Sequence, residues 1–259
     1  MTNLSFETLD ITPKENYLIV QLDRGKANPI NQQMVSDLRQ LLEMTSTNEA
    51  VDGLILTGKT HFFTAGVDII SLYHGNQKTV KTFWHTFNQL LKEMSEFAKP
   101  LVTAITGHSP AGGCIFALCS DYRVMAKGEK YRIGLNEVPV GLIIPPSIFH
   151  LYAFSIGRRQ AYKNLLEGKL MSPNEAMAIG LVDEIVPLEE VLAKAESIMQ
   201  KYCSFDKNTW RKSKSNMKAD LNQQLDLDFD TALVPLLEQW WSPETQEILA
   251  KMVAQLTKR

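Results

Sequence analysis

Two adjacent glycines, Gly112 and Gly113, and a single acid, Glu137, are the residues of this chain best suited to chemistry. The glycines follow Ser109-Pro110-Ala111 and open an apolar run that reads as a helix start. A helix start without side chains presents bare backbone N–H groups, which can hold a negatively charged oxygen. Glycine costs a helix about 1 kcal/mol relative to alanine. A pair of them there answers a need either for bare backbone or for tight packing. Glu137 lies in IGLNEVPVG (133 to 141), flanked by Ile133, Leu135, Val138 and Val140. An acid in apolar surroundings has a raised pKa, which suits it to moving protons; its structural alternatives are a salt bridge or a helix cap. An oxyanion site together with one acid/base carboxylate points to an enzyme that forms an enolate.

A second turn of the same kind is His61-Phe62-Phe63-Thr64-Ala65-Gly66-Val67-Asp68-Ile69. A strand ends shortly before it, and Asp68 is suited to cap a following helix. Small residues at Ala65 and Gly66 leave the backbone open to a ligand, with the Val67 N–H aimed into a site. The same glycine also serves a strand-to-helix turn that needs its dihedral freedom. Two such turns could supply two N–H donors to one oxygen, and losing one donor of such a pair commonly costs about a hundredfold in rate.

The elements that must carry these turns alternate. Tyr17–Leu22, Gly53–Thr57, residues 101–106 and Tyr122–Ala126 read as strands. Met34, Leu38, Leu41 and Leu42 share one helical face. Val80, Phe83, Phe87, Leu90, Leu91, Met94 and Phe97 mark a long amphipathic helix that Pro100 ends. Residues 111–118 form the short helix after the glycines. This order predicts an α/β core with a largely parallel sheet. Ser172-Pro173-Asn174-Glu175 is a capping box with proline at the first helical position, and Gly180 stops that helix. From about Leu188 the chain reads as helical, broken near residues 204–206 and at Pro243, too thin for an independent domain.

With 259 residues, 44% of them hydrophobic and 22% charged, the chain can bury a full core. A net charge of −2 gives no case for nucleic acid. The basic cluster at residues 210–218 reads as a solvated helix face. Cys114, Cys119 and Cys203 form neither a CxxC pair nor a His/Cys ligand set, so neither a metal nor a disulfide framework is expected. The opening MTNLSFETLD is not a signal peptide, no run approaches a membrane span, and the terminal LTKR carries no address. A reducing cytoplasm is the expected location. His61, His108, Asp121, Glu129 and Asp183 read as structural. Ser109 lacks a nucleophile elbow, and Trp240-Trp241 reads as an apolar anchor for helix packing or a subunit contact.

The motifs FTAGVD (63 to 68), KPLVTAITGHSPAGGC (99 to 114) and GLNEVPVGLIIPP (134 to 146), in this order, resemble the crotonase superfamily, the enoyl-CoA hydratase/isomerase family. The resemblance runs from about Tyr17 to Pro187, and AGGC, CSDYR and IGLNE resemble its Δ3,Δ2-enoyl-CoA isomerase branch. It implies a spiral of ββα units over residues 1–195, a helical region over 196–259 serving oligomerisation or site cover, and assembly as a homotrimer or dimer of trimers. The substrate would be an acyl-CoA thioester, with CoA part of the substrate and no separate cofactor. Its carbonyl oxygen would sit between the N–H groups of Val67 and Gly112. CoA would run along Lys26-Ala27, in a loop (24 to 31) like the family's first CoA-contacting loop, and along Thr64, Ala65, Gly66 and Asp68. Asn136 would touch the thioester or acyl chain, and Phe116, Leu142, Ile143 and Ile144 would line the acyl pocket. Hydratases of the family carry a glutamate two residues beyond the last glycine, where this chain has Ile115. One carboxylate suffices for a 1,3 proton shift, so Glu137 would be the acid/base of an isomerase. A hydratase or other crotonase-type enzyme, and a non-catalytic acyl-CoA-binding protein, are the alternatives.

Overall fold

The computed structural model describes residues 5–226 and 229–257; the tips of the two termini, including part of LTKR, lie outside it. Strand β1 (Leu9–Pro13) forms a hairpin with β2 (Tyr17–Leu22), which leads to helix α1 (Gln32–Ser46). Then come β3 (Gly53–Thr57), β4 (His61–Phe62), α2 (Ile69–Tyr73) and α3 (Gln77–Glu96). The next unit is β5 (Leu101–Ile105), β6 (Gly107–Pro110) and α4 (Gly112–Cys119), and after it come β7 (Tyr122–Ala126) and β8 (Ile133–Gly134). Each unit gives one strand to a main sheet ordered β1-β2-β3-β5-β7 and the next strand to a smaller sheet ordered β4-β6-β8. The chain is thus a rising spiral of ββα units, as the resemblance implied, its largely parallel main sheet joined by a second, smaller one.

The main-sheet pairings are parallel except at β1. Every residue of β3 and β5 is buried, as a parallel sheet covered on both faces requires. On one face lie α1, α3 and α4, with the Val80–Met94 stripe of α3 turned inward. After β8 the chain runs through a 3₁₀ turn (Val138–Val140), α5 (Pro146–Ile156), α6 (Arg158–Glu167), β9 (Leu170–Met171), α7 (Pro173–Ala178) and β10 (Glu184–Val186). Strand β9 joins the small sheet and β10 the main one. The capping box forms as expected, Ser172 and Glu175 bonding each other's backbone. Helix α8 (Val191–Cys203) covers the other face of the main sheet, where Val191, Ala195 and Met199 meet Ile19, Ile55 and Val102. Helices α9 (Lys207–Leu225), α10 (Phe229–Trp240) and α11 (Pro243–Thr257) complete the chain. No helix among the described residues is long and apolar enough to cross a membrane.

The basic cluster of α9 is only in part a solvated face. Lys214 and Lys218 are buried. The Lys214 ammonium donates to Asp121 Oδ2 (2.7 Å) and to the Lys99 carbonyl (2.9 Å), and Lys218 donates to the Cys119 carbonyl (3.2 Å). Burial presses the Lys214 ammonium down to about 8. Charge spacing alone cannot distinguish lysines that face water from lysines drawn inward by a buried acid and unpaired carbonyls. Asp183 likewise pairs with Arg123. Trp240 is fully buried and stands edge-on to Trp84 at 6.2 Å, an anchor for helix packing.

Lys99, just before β5, is also buried, and its ammonium donates to the carbonyls of Thr45, Asn48 and Val51 at 2.6, 2.8 and 2.8 Å. It closes the end of α1, where the helix leaves carbonyls without intrahelical partners. Lys99→Met keeps the apolar stem and strips the ammonium from all three, of which only Asn48 keeps a partner, the Val51 N–H (3.0 Å), so stability measured by urea unfolding falls by about 3 kcal/mol. An unchanged midpoint would show that water can replace the ammonium there.

Candidate active site

The two strand-to-helix turns meet at the edge of one cavity of about 410 Å³. The first is stitched to the loop after β2. Ala65 N–H donates to the Ala27 carbonyl (2.7 Å), Ile30 N–H to the Gly66 carbonyl (2.9 Å), and Asp68 N–H to the Ile30 carbonyl (2.8 Å). Ile30 and Val67 form an isolated parallel bridge. Because the bridge uses the groups of Gly66 and Asp68, the N–H of Val67 points away from Ile30, as strand alternation requires. In the second turn, Ala111 takes the unusual dihedrals φ 47° and ψ −118°. Its N–H is spent on the Gly134 carbonyl (2.8 Å). Gly112 then begins α4, where an N–H has no partner inside the helix.

The absence of side chains brings these amides together. A Cβ on Gly112 would stand 2.7 Å from Ile30 Cδ1 and 3.5 Å from the Val67 nitrogen. One on Gly66 would stand 3.2 Å from the Ala111 Cβ and 3.6 Å from the Gly112 nitrogen. Gly113 faces inward, where a Cβ would come within 2.7 Å of Thr64 Cγ2. The first glycine therefore keeps the gap open, and the second lets α4 pack on its support.

Glu137 faces the same cavity from the turn after β8. It is only 9% exposed, and its Oε2 has no hydrogen-bond partner among the described residues. Burial pushes its carboxyl up to about 7. No cation among the described residues is paired with it, so near neutrality it can both accept and return a proton. Its turn is tight: the Glu137 carbonyl accepts from Val140 and Leu142, and Gly141 sits at φ 78°. Ile115, one turn into α4 and 2% exposed, lines the cavity with an apolar side chain.

The cavity gathers Ala27, Ala65, Val67, Asp68, Gly112, Ile115, Asn136 and Glu137. It does not gather all of the expected residues. Lys26 borders a separate surface hollow with Gly25, Lys59 and Leu188. Thr64 is fully buried and does structural work, its Oγ1 donating to the Asn28 carbonyl (2.6 Å) and accepting from Gly66 N–H (3.0 Å). Gly66 shapes the turn from behind. Asp68 caps α2 through Ser71 and pairs with Arg24 at 2.8 Å. Burial alone would raise its carboxyl, but the Ser71 bonds and the Arg24 guanidinium together hold it low. Leu142 and Ile143 line the cavity, whereas Phe116 and Ile144 do not. His61 and His108 cluster around Tyr131, away from the lining, with His61 Nδ1 2.6 Å from the Tyr131 hydroxyl. Sequence reasoning missed Trp84 and Phe87 of α3, Ile148 of α5, Leu236 of α10 and Met252 of α11, which supply the apolar wall. Their only signal is the apolar stripe of each helix, which does not tell a cavity from a core.

The match of residues 13–237 to the enoyl-CoA hydratase/isomerase family model accords with this arrangement. The chain belongs to the enoyl-CoA hydratase/isomerase family. It is 35% identical over 201 residues to enoyl-CoA delta isomerase 1, mitochondrial, of Mus musculus, covering 77% of this chain and 70% of that one. It is 28% identical to 2,3-dehydroadipyl-CoA hydratase of Escherichia coli strain K12, covering 74% of each. The fold matches the crystal structure of human mitochondrial delta3-delta2-enoyl-CoA isomerase with a TM-score of 0.93 at 26% identity, over 97% of this chain and 99% of that one. The chain is therefore an enzyme with the fold of this family, C-terminal helices included.

An unpaired buried acid in an enzyme of the enoyl-CoA hydratase/isomerase family weighs on stability in a defined pH window. Folded Glu137 keeps its proton up to about 7, whereas an unfolded glutamate keeps it only to about 4.3. Between these values the folded chain binds more protons, so stability falls as pH rises through the window. Glu137→Gln cannot ionise. It is expected to match the parent in urea unfolding near pH 4 and to exceed it above pH 7 by up to about 3 kcal/mol. An advantage of equal size at both pH values would contradict burial as the cause.

Proposed function

We propose that this enzyme is a Δ3,Δ2-enoyl-CoA isomerase, moving the double bond of a 3-enoyl-CoA to the trans-2 position. The observation that carries this reading is Glu137, its Oε2 without a hydrogen-bond partner among the described residues, sharing a cavity with Val67, Gly112 and the apolar Ile115. The Glu137 carboxylate takes a proton from C2 of the thioester. The electron pair of that C–H bond moves into the conjugated system, placing negative charge on the thioester oxygen. The N–H groups of Val67 and Gly112 hold that oxygen, a role for which amides fixed before the reaction are well suited. The protonated Glu137 then delivers the same proton to C4, the double bond settles between C2 and C3, and the carbonyl reforms. No atom is gained or lost, and no cofactor beyond the CoA of the substrate takes part.

Ile115 supports this reading over hydration. Adding water is served by a second polar group that holds and activates it, and an isoleucine can do neither. Ala27, Ala65 and Asp68 at the turn are the candidates for contacts to CoA, and Asn136 for contact with the thioester end. Helices α10 and α11 serve as cover, since Leu236 and Met252 complete the apolar wall. We place the chain in a homotrimer or a dimer of trimers. Exposed Phe154, Phe205 and Met217 support a face covered by another copy. The three free thiols suit a reducing compartment such as the cytoplasm.

With purified protein and a 3-enoyl-CoA, conjugation followed by absorbance is expected to proceed, and Glu137→Gln to slow it by about a hundredfold or more. The parent rate should rise as pH climbs through about 7, where Glu137 becomes a base. An active Glu137→Gln enzyme would remove Glu137 from the reaction. Hydration of crotonyl-CoA faster than isomerisation would favour a hydratase, and tight thioester binding without turnover would favour a binding protein. Ile115→Glu is expected to raise the ratio of hydration to isomerisation by about tenfold or more; an unchanged ratio would show that the residue after Cys114 does not set the choice.

A further inference from the structure

We propose that Thr245 is a positioning residue for Glu137, tying the turn that carries the acid to the C-terminal helices that roof the cavity. The inference rests on the acid/base role given to Glu137 above and adds to it the means by which that side chain is held.

With Oε2 lacking any hydrogen-bond partner among the described residues, side-chain partners do not aim this carboxyl. Its direction falls to the backbone of residues 137–142. One flank of that turn is braced by Gly168 at the end of α6, where an added Cβ would stand 2.3 Å from Pro139. On the other flank the Gly141 carbonyl accepts from Thr245 Oγ1 at 3.2 Å. Thr245 is fully buried at the start of α11. Its hydroxyl in turn accepts from Gln239 Nε2 of α10 at 2.8 Å, which leaves its proton for Gly141. Gly141 fits only because it lacks a side chain: a Cβ there would lie 3.1 Å from Thr245 Oγ1 and 3.3 Å from Ile248 Cδ1. The chain Gln239–Thr245–Gly141 therefore joins both roof helices to the turn. Leu236 and Met252 on those helices line the cavity, so an acyl chain seated against them bears on the mount of the acid.

The test compares Thr245→Val, which keeps the shape and removes the hydroxyl, with Thr245→Ser, which restores it. The first readout needs no turnover: titration of the Glu137 carboxyl by ¹³C NMR, assigned against Glu137→Gln. Release of the turn admits water, so Thr245→Val should lower the midpoint by about half a pH unit or more, while Thr245→Ser should follow the parent. The second readout is isomerisation. Thr245→Val is expected to lower kcat about tenfold with KM changed less than about twofold, to shift the acid limb of the pH profile downward, and to be rescued by serine. A parent-like midpoint and kcat in Thr245→Val would overturn the proposal. If the midpoint moves but the parent isomerises nothing, the mount stands and the isomerase reading fails. Should Thr245→Val lose its fold by circular dichroism, Gln239→Leu and Thr245→Ser decide: a lowered midpoint in the first with a parent-like second supports the proposal, and two parent-like titrations overturn it.

Discussion

A carboxyl buried in an apolar cavity without a cation or hydrogen-bond donor for its outer oxygen is the constraint on which this structure turns. Water would solvate the charge of Glu137 and return it to an ordinary, weakly basic carboxylate. A neighbouring lysine or arginine would do the same. The surrounding architecture therefore has to exclude both while still fixing a side chain whose Oε2 has no hydrogen-bond partner among the described residues. It does so through the backbone. The Glu137 carbonyl is bonded twice within its own turn, Pro139 abuts Gly168, and Gly141 packs beneath α11.

The complementary half of the site obeys the opposite rule. There the groups that the proposed reaction would use are main-chain N–H donors, and bonds to their neighbours do the fixing. The loop of residues 24–31 is laced to residues 63–68 by Ala65, Ile30 and Asp68, with Asn28 adding a side-chain bond to the Phe63 carbonyl (3.1 Å). Every amide in that stretch that is bonded inward helps hold the one at Val67 outward. On the other side Ala111 accepts a dihedral pair that alanine rarely adopts, at a cost of about 1–3 kcal/mol. There α4 begins close to the first turn, where a Cβ on Gly112 would lie 3.5 Å from the Val67 nitrogen. On the proposed isomerase reading, strain at Ala111 and bare backbone at Gly112 serve one requirement, that charge developing on a substrate oxygen would meet donors already in place.

The C-terminal helices would contribute little if they merely leaned on the core. Lys214 and Lys218 fasten α9 to Asp121 and to the end of α4, and Asp121 also receives the Leu101 N–H at the start of β5. The same region thus reaches the start of a central strand, the end of the helix whose beginning carries Gly112, and, through Trp240 against Trp84, the wall of the cavity. The roof is coupled to both halves of the site.

Against this background, what the sequence made legible follows from range. Strands with long apolar runs, the α3 stripe and the capping box at Ser172 are encoded within a few residues, and they emerged as read. The two glycine turns lie where they were read, because a need for bare backbone is a local property, whereas the lack of a counter-charge beside Glu137 is settled only by the whole fold. Strands β4, β8 and β9 have two residues each and no periodicity to betray them; they exist because the fold brings His61 beside Gly107, and Ile133 beside Ser109 and Met171. Lys214 and Thr64 mislead for the same reason. A charged or polar side chain reads as solvated or ligand-facing until a distant acid or carbonyl is found for it, and Asp121 lies 93 residues from Lys214. The wall formed by Trp84, Ile148, Leu236 and Met252 is the extreme case. Each is an ordinary apolar position on its own helix, and only the closure of the spiral decides that the space they share is left open rather than filled.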